Sequence, residues 1–156
     1  MKDKSFTNEE GKYTKIGTIV GIVALIITVW QIWPTSKPNL DGEWKLTTEV
    51  TQSNYSAYIG KKIEWKMFIS ENQNIIKGTA EKIKINGKEL ESKNKTCLQL
   101  EGSLKGENIV LSISENGKLR TTTGIIQAKI VSDIIEGTFS QTAANSMGKV
   151  LAERID

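Results

Sequence analysis

Leu40-Asp41-Gly42-Glu43-Trp44-Lys45-Leu46-Thr47-Thr48-Glu49-Val50 is the stretch that decides the fold. From Gly42 onward it alternates, with Trp44, Leu46, Thr48 and Val50 on one side and charged or polar residues on the other. A period of two over this length is the pattern of a half-buried β-strand. The stretch opens with an apolar residue, a charge, a glycine, a polar residue and a large or small apolar one. That order returns at Ile76-Lys77-Gly78-Thr79-Ala80, Leu100-Glu101-Gly102-Ser103-Leu104 and Ile135-Glu136-Gly137-Thr138-Phe139. A glycine inside a strand permits a sharp bend or a close backbone approach. Repeated strand glycines are what small, tightly coiled barrels need at their corners.

Toward the C-terminus the alternation repeats. Lys62 to Ser70 places Ile63, Trp65, Met67 and Ile69 together, after a long loop from Thr51 to Lys61. Ile75 to Ile85 reads as a long strand, and Asn86-Gly87 is the preferred pair for a tight hairpin into Lys88 to Glu91. Thr96 to Leu104 and Ile109 to Glu115 pair across Lys105-Gly106. Asn116-Gly117 leads into Lys118 to Val131, Ser132-Asp133 into Ile134 to Ala143, and Val150 to Ile155 is the last strand. Eight or nine short-turned strands with no helix among them predict an all-β domain, a small antiparallel meander barrel of about eight strands. Closure removes exposed sheet edges.

Toward the N-terminus lies a different kind of sequence. Ile16 to Trp33 is 18 residues without a charge. As a helix it spans roughly 27 Å, close to one bilayer hydrocarbon thickness. Tyr13, Trp30 and Trp33 stand at its ends, where aromatic rings prefer the interface, and Pro34 stops it. No small-x-small cleavage site follows, which argues against a signal peptide. The expected organisation is a polar tail (1–15), one transmembrane helix (16–33), a linker (34–39) and a β-barrel domain (40–156). Gly17 and Gly21 form a GxxxG, and Ala24 and Thr28 continue that face. Small residues there let two helices approach closely, so homo-oligomerisation through this face is expected. Lys2, Lys4, Lys12 and Lys15 precede the segment, against Lys37 and Lys45 after it. The positive-inside rule then favours an external barrel.

Composition removes several chemistries. The chain has 156 residues, no histidine and one cysteine, Cys97. Serine–histidine catalysis and histidine-ligated zinc are out, and so is any intrachain disulfide. Cys97 lies in an apolar run and reads as a small core residue. From residue 37 onward there are 17 basic and 15 acidic side chains, not the footprint of a DNA or RNA duplex binder. No carboxylate pair, phosphate loop or metal-spaced cluster stands out. The chain is read as a non-enzyme with no cofactor and no metal site, and its catalytic residues as none.

Gly42-Glu43-Trp44 resembles the Gly-x-Trp motif of lipocalins and related calycin barrels. In those families a basic side chain from the last strand packs over the tryptophan. The resemblance implies that Arg154 does so here and that Trp44 and Arg154 close one barrel end, a cation–π contact. A ligand site would then lie in the barrel mouth. Tyr55, Tyr58 and Trp65 are candidates to stack on a flat ligand and Arg120 to hold a phosphate. The plainer reading makes Trp65 core, the tyrosines caps and Arg120 a solvated charge.

A membrane segment, a short linker and a minimal barrel within about 150 residues resembles the membrane-anchored β-barrel effectors of bacterial cyclic-oligonucleotide antiphage (CBASS) systems. Members typically carry two transmembrane helices where this chain has one. The resemblance implies a cytoplasmic barrel on a single-pass inner-membrane anchor, a cyclic oligonucleotide as ligand, and oligomers that disrupt the lipid bilayer. Two rival readings are a tethered lipocalin-like carrier of an apolar ligand outside the cytoplasm and an accessory subunit of a membrane complex.

Overall fold

The computed structural model describes residues 38–117 and 120–155. The apolar segment 16–33, with Gly17, Gly21, Ala24 and Thr28, lies outside them. Among the described residues no helix is long and apolar enough to cross a membrane.

The strands are β1 (Gly42–Gln52), β2 (Lys62–Asn72), β3 (Ile75–Ile85), β4 (Lys88–Glu89), β5 (Cys97–Lys105), β6 (Asn108–Asn116), β7 (Thr121–Val131), β8 (Ile134–Gln141) and β9 (Ser146–Arg154). They form one sheet in the order β2-β1-β9-β8-β7-β6-β5-β3-β4, and β2 also pairs with β3. The sheet therefore closes on itself through eight strands, every pairing antiparallel. The two-residue β4 is an extra strand lying on the end of β3 alone. First and last strands meet directly, Trp44 opposite Arg154 and Leu46 opposite Ala152.

Alternation decides what fills the barrel. Inward rows carry Trp44, Leu46 and Val50; Trp65, Met67 and Ile69; Ile76 and Ala80; Leu98, Leu100 and Leu104. The remaining strands add Ile109, Leu111 and Ile113; Ile126, Ala128 and Ile130; Ile135 and Phe139; and Val150 and Ala152. Each fully buried aliphatic or aromatic side chain contributes about 1.5–3 kcal/mol, so burial alone holds a fold that has no disulfide. The interior is full: a void of about 10 Å³ remains among Leu46, Met67, Ile109 and their neighbours. That is the threshold at which a single water fits.

The closest backbone approaches lie at glycines. A Cβ on Gly102 would stand 1.9 Å from the carbonyl oxygen of Val110, and one on Gly148 1.9 Å from that of Glu49. Only glycine lets the neighbouring backbone come so close. Three of the four recurrent glycines (Gly78, Gly102 and Gly137) make such approaches. Gly42 serves otherwise, with φ of +126° and Arg154 beside it. Gly124 and Gly148, outside the recurrent pattern, are further close approaches.

Several expectations are corrected by the register. Cys97 is exposed rather than core, because Leu98 and Leu100 take the inward positions and leave it facing out. The loop after β1 is shorter than 51–61, since β1 runs to Gln52 and Ser56–Tyr58 forms one helical turn. The return from Asn86-Gly87 ends at Glu89, and a second turn at Ser92–Asn94 carries the chain into β5.

Candidate functional site

The two barrel ends are built from different residues. At one end the chain enters through residues 38–41 and leaves through Arg154. Trp44 is 0% exposed there, and its indole Nε1 donates to the carbonyl of Leu40 at 2.9 Å. The Arg154 guanidinium lies 4.4 Å from the Trp44 ring centroid. Its Nε donates to Asp133 Oδ1 at 2.9 Å, its Nη1 to the Asp41 carbonyl at 2.6 Å, and its Nη2 to the Asn39 carbonyl. A planar fork that stacks and donates in several directions is a task for arginine rather than lysine. This end is sealed, with Leu40 wholly buried beneath it.

The opposite end is open. A cavity of about 370 Å³ is bounded by Val50, Tyr58, Lys61, Ile63, Lys82 and Ile85 from one side, and by Glu115, Arg120, Thr122 and Gln141 from the other. That volume lies at the lower end of small-molecule sites. Its polarity comes from inward rows that finish in charge. In β6 the row Ile109, Leu111, Ile113 ends in Glu115; in β3 the row Ile76, Ala80 ends in Lys82. The β2–β3 register slips between Glu64 and Trp65, so that Lys82 faces Trp65 while Ile85 faces Ile63. A bulge of this kind, common at barrel rims, re-aims the side chains around it.

Lys82 and Glu115 form an ion pair, 14% and 16% exposed, and the Thr96 hydroxyl donates to the same Glu115 Oε1 at 2.6 Å. The Lys82 ammonium also lies 4.8 Å from the centroid of the Trp65 ring. Among the described residues no buried side-chain nitrogen or oxygen lacks a partner. Over this cluster the loop after β1 is tied to the β8–β9 turn. Asn54 N donates to the Ala144 carbonyl at 2.8 Å, and buried Ser146 Oγ lies 2.6 Å from Ala143 O and 3.0 Å from Ser53 Oγ.

The four residues singled out as ligand candidates separate here. Tyr58 and Arg120 both line the cavity. Tyr55 stands outside it, 56% exposed, its ring edge-on to Tyr58 at 5.0 Å. Trp65 is 4% exposed and acts as a platform under Lys82. Lys61, whose ammonium is 4.5 Å from the Tyr58 ring, joins the wall. Among the described residues the mouth thus sets three cations (Lys61, Lys82 and Arg120) against one carboxylate, with an aromatic face beside them. Sequence reading missed Lys61, Lys82 and Glu115. The available signal was charge at the end of an otherwise apolar inward row, together with the phase change between Ala80 and Ile85 that demands a bulge.

No group of three or more histidine, cysteine, aspartate or glutamate side chains gathers as a metal site among the described residues. Comparison of the chain with protein-family models, with curated proteins and with solved structures returns no match.

Proposed function

We propose that the chain is a membrane-anchored β-barrel sensor and effector. The barrel mouth binds a cyclic oligonucleotide second messenger, and the apolar segment 16–33 assembles bound chains into oligomers that disrupt the inner membrane in antiphage defence. One observation carries the reading: a 370 Å³ mouth in which Lys61, Lys82 and Arg120 outnumber Glu115, with Tyr58 beside them. Cations recognise phosphodiesters, and an aromatic face accepts a base. The carrier reading is disfavoured by the packed interior, whose void of about 10 Å³ has no room for an apolar ligand.

The test is titration of the full chain in detergent with cyclic dinucleotides and trinucleotides, following heat and oligomer size together. Saturable binding accompanied by larger oligomers is the expected result. No binding at high micromolar concentration defeats the reading and favours an accessory subunit of a membrane complex. A reporter fused after Asp156 is expected on the cytoplasmic side, and an extracytoplasmic signal would sink a sensor of a cytoplasmic messenger.

A further inference from the structure

We propose that Glu115 is a resident counter-anion of the mouth. In the empty barrel it holds the position at Lys82 that an anionic group of the ligand takes on binding. The inference rests on reading the mouth as an anion site.

Four features of the site lead to it. Among the described residues Glu115 is the one carboxylate lining the cavity, and it is not an isolated surface charge: Lys82 and the Thr96 hydroxyl both donate to its Oε1. Lys82 has a second support in the Trp65 ring at 4.8 Å, so its position does not depend on the carboxylate alone. The pair is largely desolvated, so an arriving anion meets a cation already stripped of most of its water. Lastly, a nearly buried ion pair roughly breaks even against apolar side chains of the same volume, so stability alone gives little reason for one in the cavity wall.

Binding is then an exchange. The incoming anion takes the Lys82 ammonium, and the Glu115 carboxylate swings to the open rim and regains water. No covalent bond changes. The exchange makes the site selective, because a neutral ring compound cannot replace Glu115. A phosphate, which offers more oxygens to Lys82, Lys61 and Arg120 together, can. Removing the carboxylate removes the competitor.

Inorganic pyrophosphate isolates this exchange from recognition of a base. With the full chain in detergent, Glu115→Gln is expected to bind pyrophosphate roughly tenfold more tightly than the parent, within the coupling typical of contacting residues. Equal or weaker binding by a folded Glu115→Gln chain overturns the exchange while leaving the anion site standing. Should neither chain bind pyrophosphate at millimolar concentration, the anion site and the exchange fall together. Binding of pyrophosphate without binding of any cyclic oligonucleotide would refute only the identity of the messenger. If Glu115→Gln does not fold, the paired variant Lys82→Met with Glu115→Leu decides the matter. It replaces the ion pair by apolar bulk and is expected to lose at least about tenfold in pyrophosphate affinity, and unchanged affinity would overturn the proposal.

Discussion

The two ends of this barrel each place a cation over a tryptophan, and they put it to different use. At the closed end Arg154 stacks on Trp44 at 4.4 Å and spends its donors on the carbonyls of Asn39 and Asp41 and on Asp133. Those partners are mostly main chain, at the point where the chain enters and leaves. At the open end Lys82 stands over Trp65 at 4.8 Å, and its other partner is a single side chain, Glu115, on a cavity wall. Backbone carbonyl partners have no rotamers by which to swing away. A cation bonded to a carboxylate beside open space has an exchangeable partner. The same contact type therefore makes a plug at one end and a socket at the other.

Four substitutions test that contrast. The largest effect is expected from Trp44→Ala, which empties a fully buried site. It should cost about 3–5 kcal/mol in urea unfolding, and a loss below about 1 kcal/mol would deny the closed end its structural role. Next is Lys82→Met, which strands a mostly buried carboxylate. About 2 kcal/mol of stability should go, less than for a fully buried pair because water reaches the rim. Adding Glu115→Leu should restore stability to within about 1 kcal/mol of the parent, and a double variant as unstable as the single one would show that the ion pair itself holds the mouth. The smallest structural effect belongs to Arg120→Ala. At an exposed rim position it should move stability by no more than about 0.5 kcal/mol, while weakening anion binding and flattening its salt dependence. A large drop in melting temperature with unchanged binding would move Arg120 from the socket to the scaffold.

Much of this was legible in the chain, for a local reason. Alternation from Trp44 to Val50 and from Ile63 to Ile69 assigns an inner and an outer side without knowledge of any partner strand. Asn86-Gly87 turns with φ of 50° and 76°, the backbone that its two residue types favour. The glycines of the recurrent pattern marked three of the close backbone approaches. Gly124 and Gly148 went unread because their neighbours, Thr123-Gly124-Ile125 and Met147-Gly148-Lys149, do not repeat the pattern. Cys97 was misread because the leucines that follow it, Leu98 and Leu100, do not reveal its own phase without the partner strand. The register of β5 against β3 does.

The sequence by itself determined that this region is all β, that about eight strands must close to hide their edges, and which residues of the first two strands form inner rows. Those properties follow from a two-residue period and from turn chemistry, both of which act within a few residues. Only the tertiary structure decided which rows end together. Lys82 and Glu115 are 33 residues apart, and they meet because β3, β5 and β6 are neighbours whose inward rows finish at the same rim. The bulge between Glu64 and Trp65 sets Lys82 beside Trp65. Register and stagger belong to pairs of strands rather than to any one of them. That is why the plug and the socket, alike in their residue types, could be told apart only once the barrel had closed.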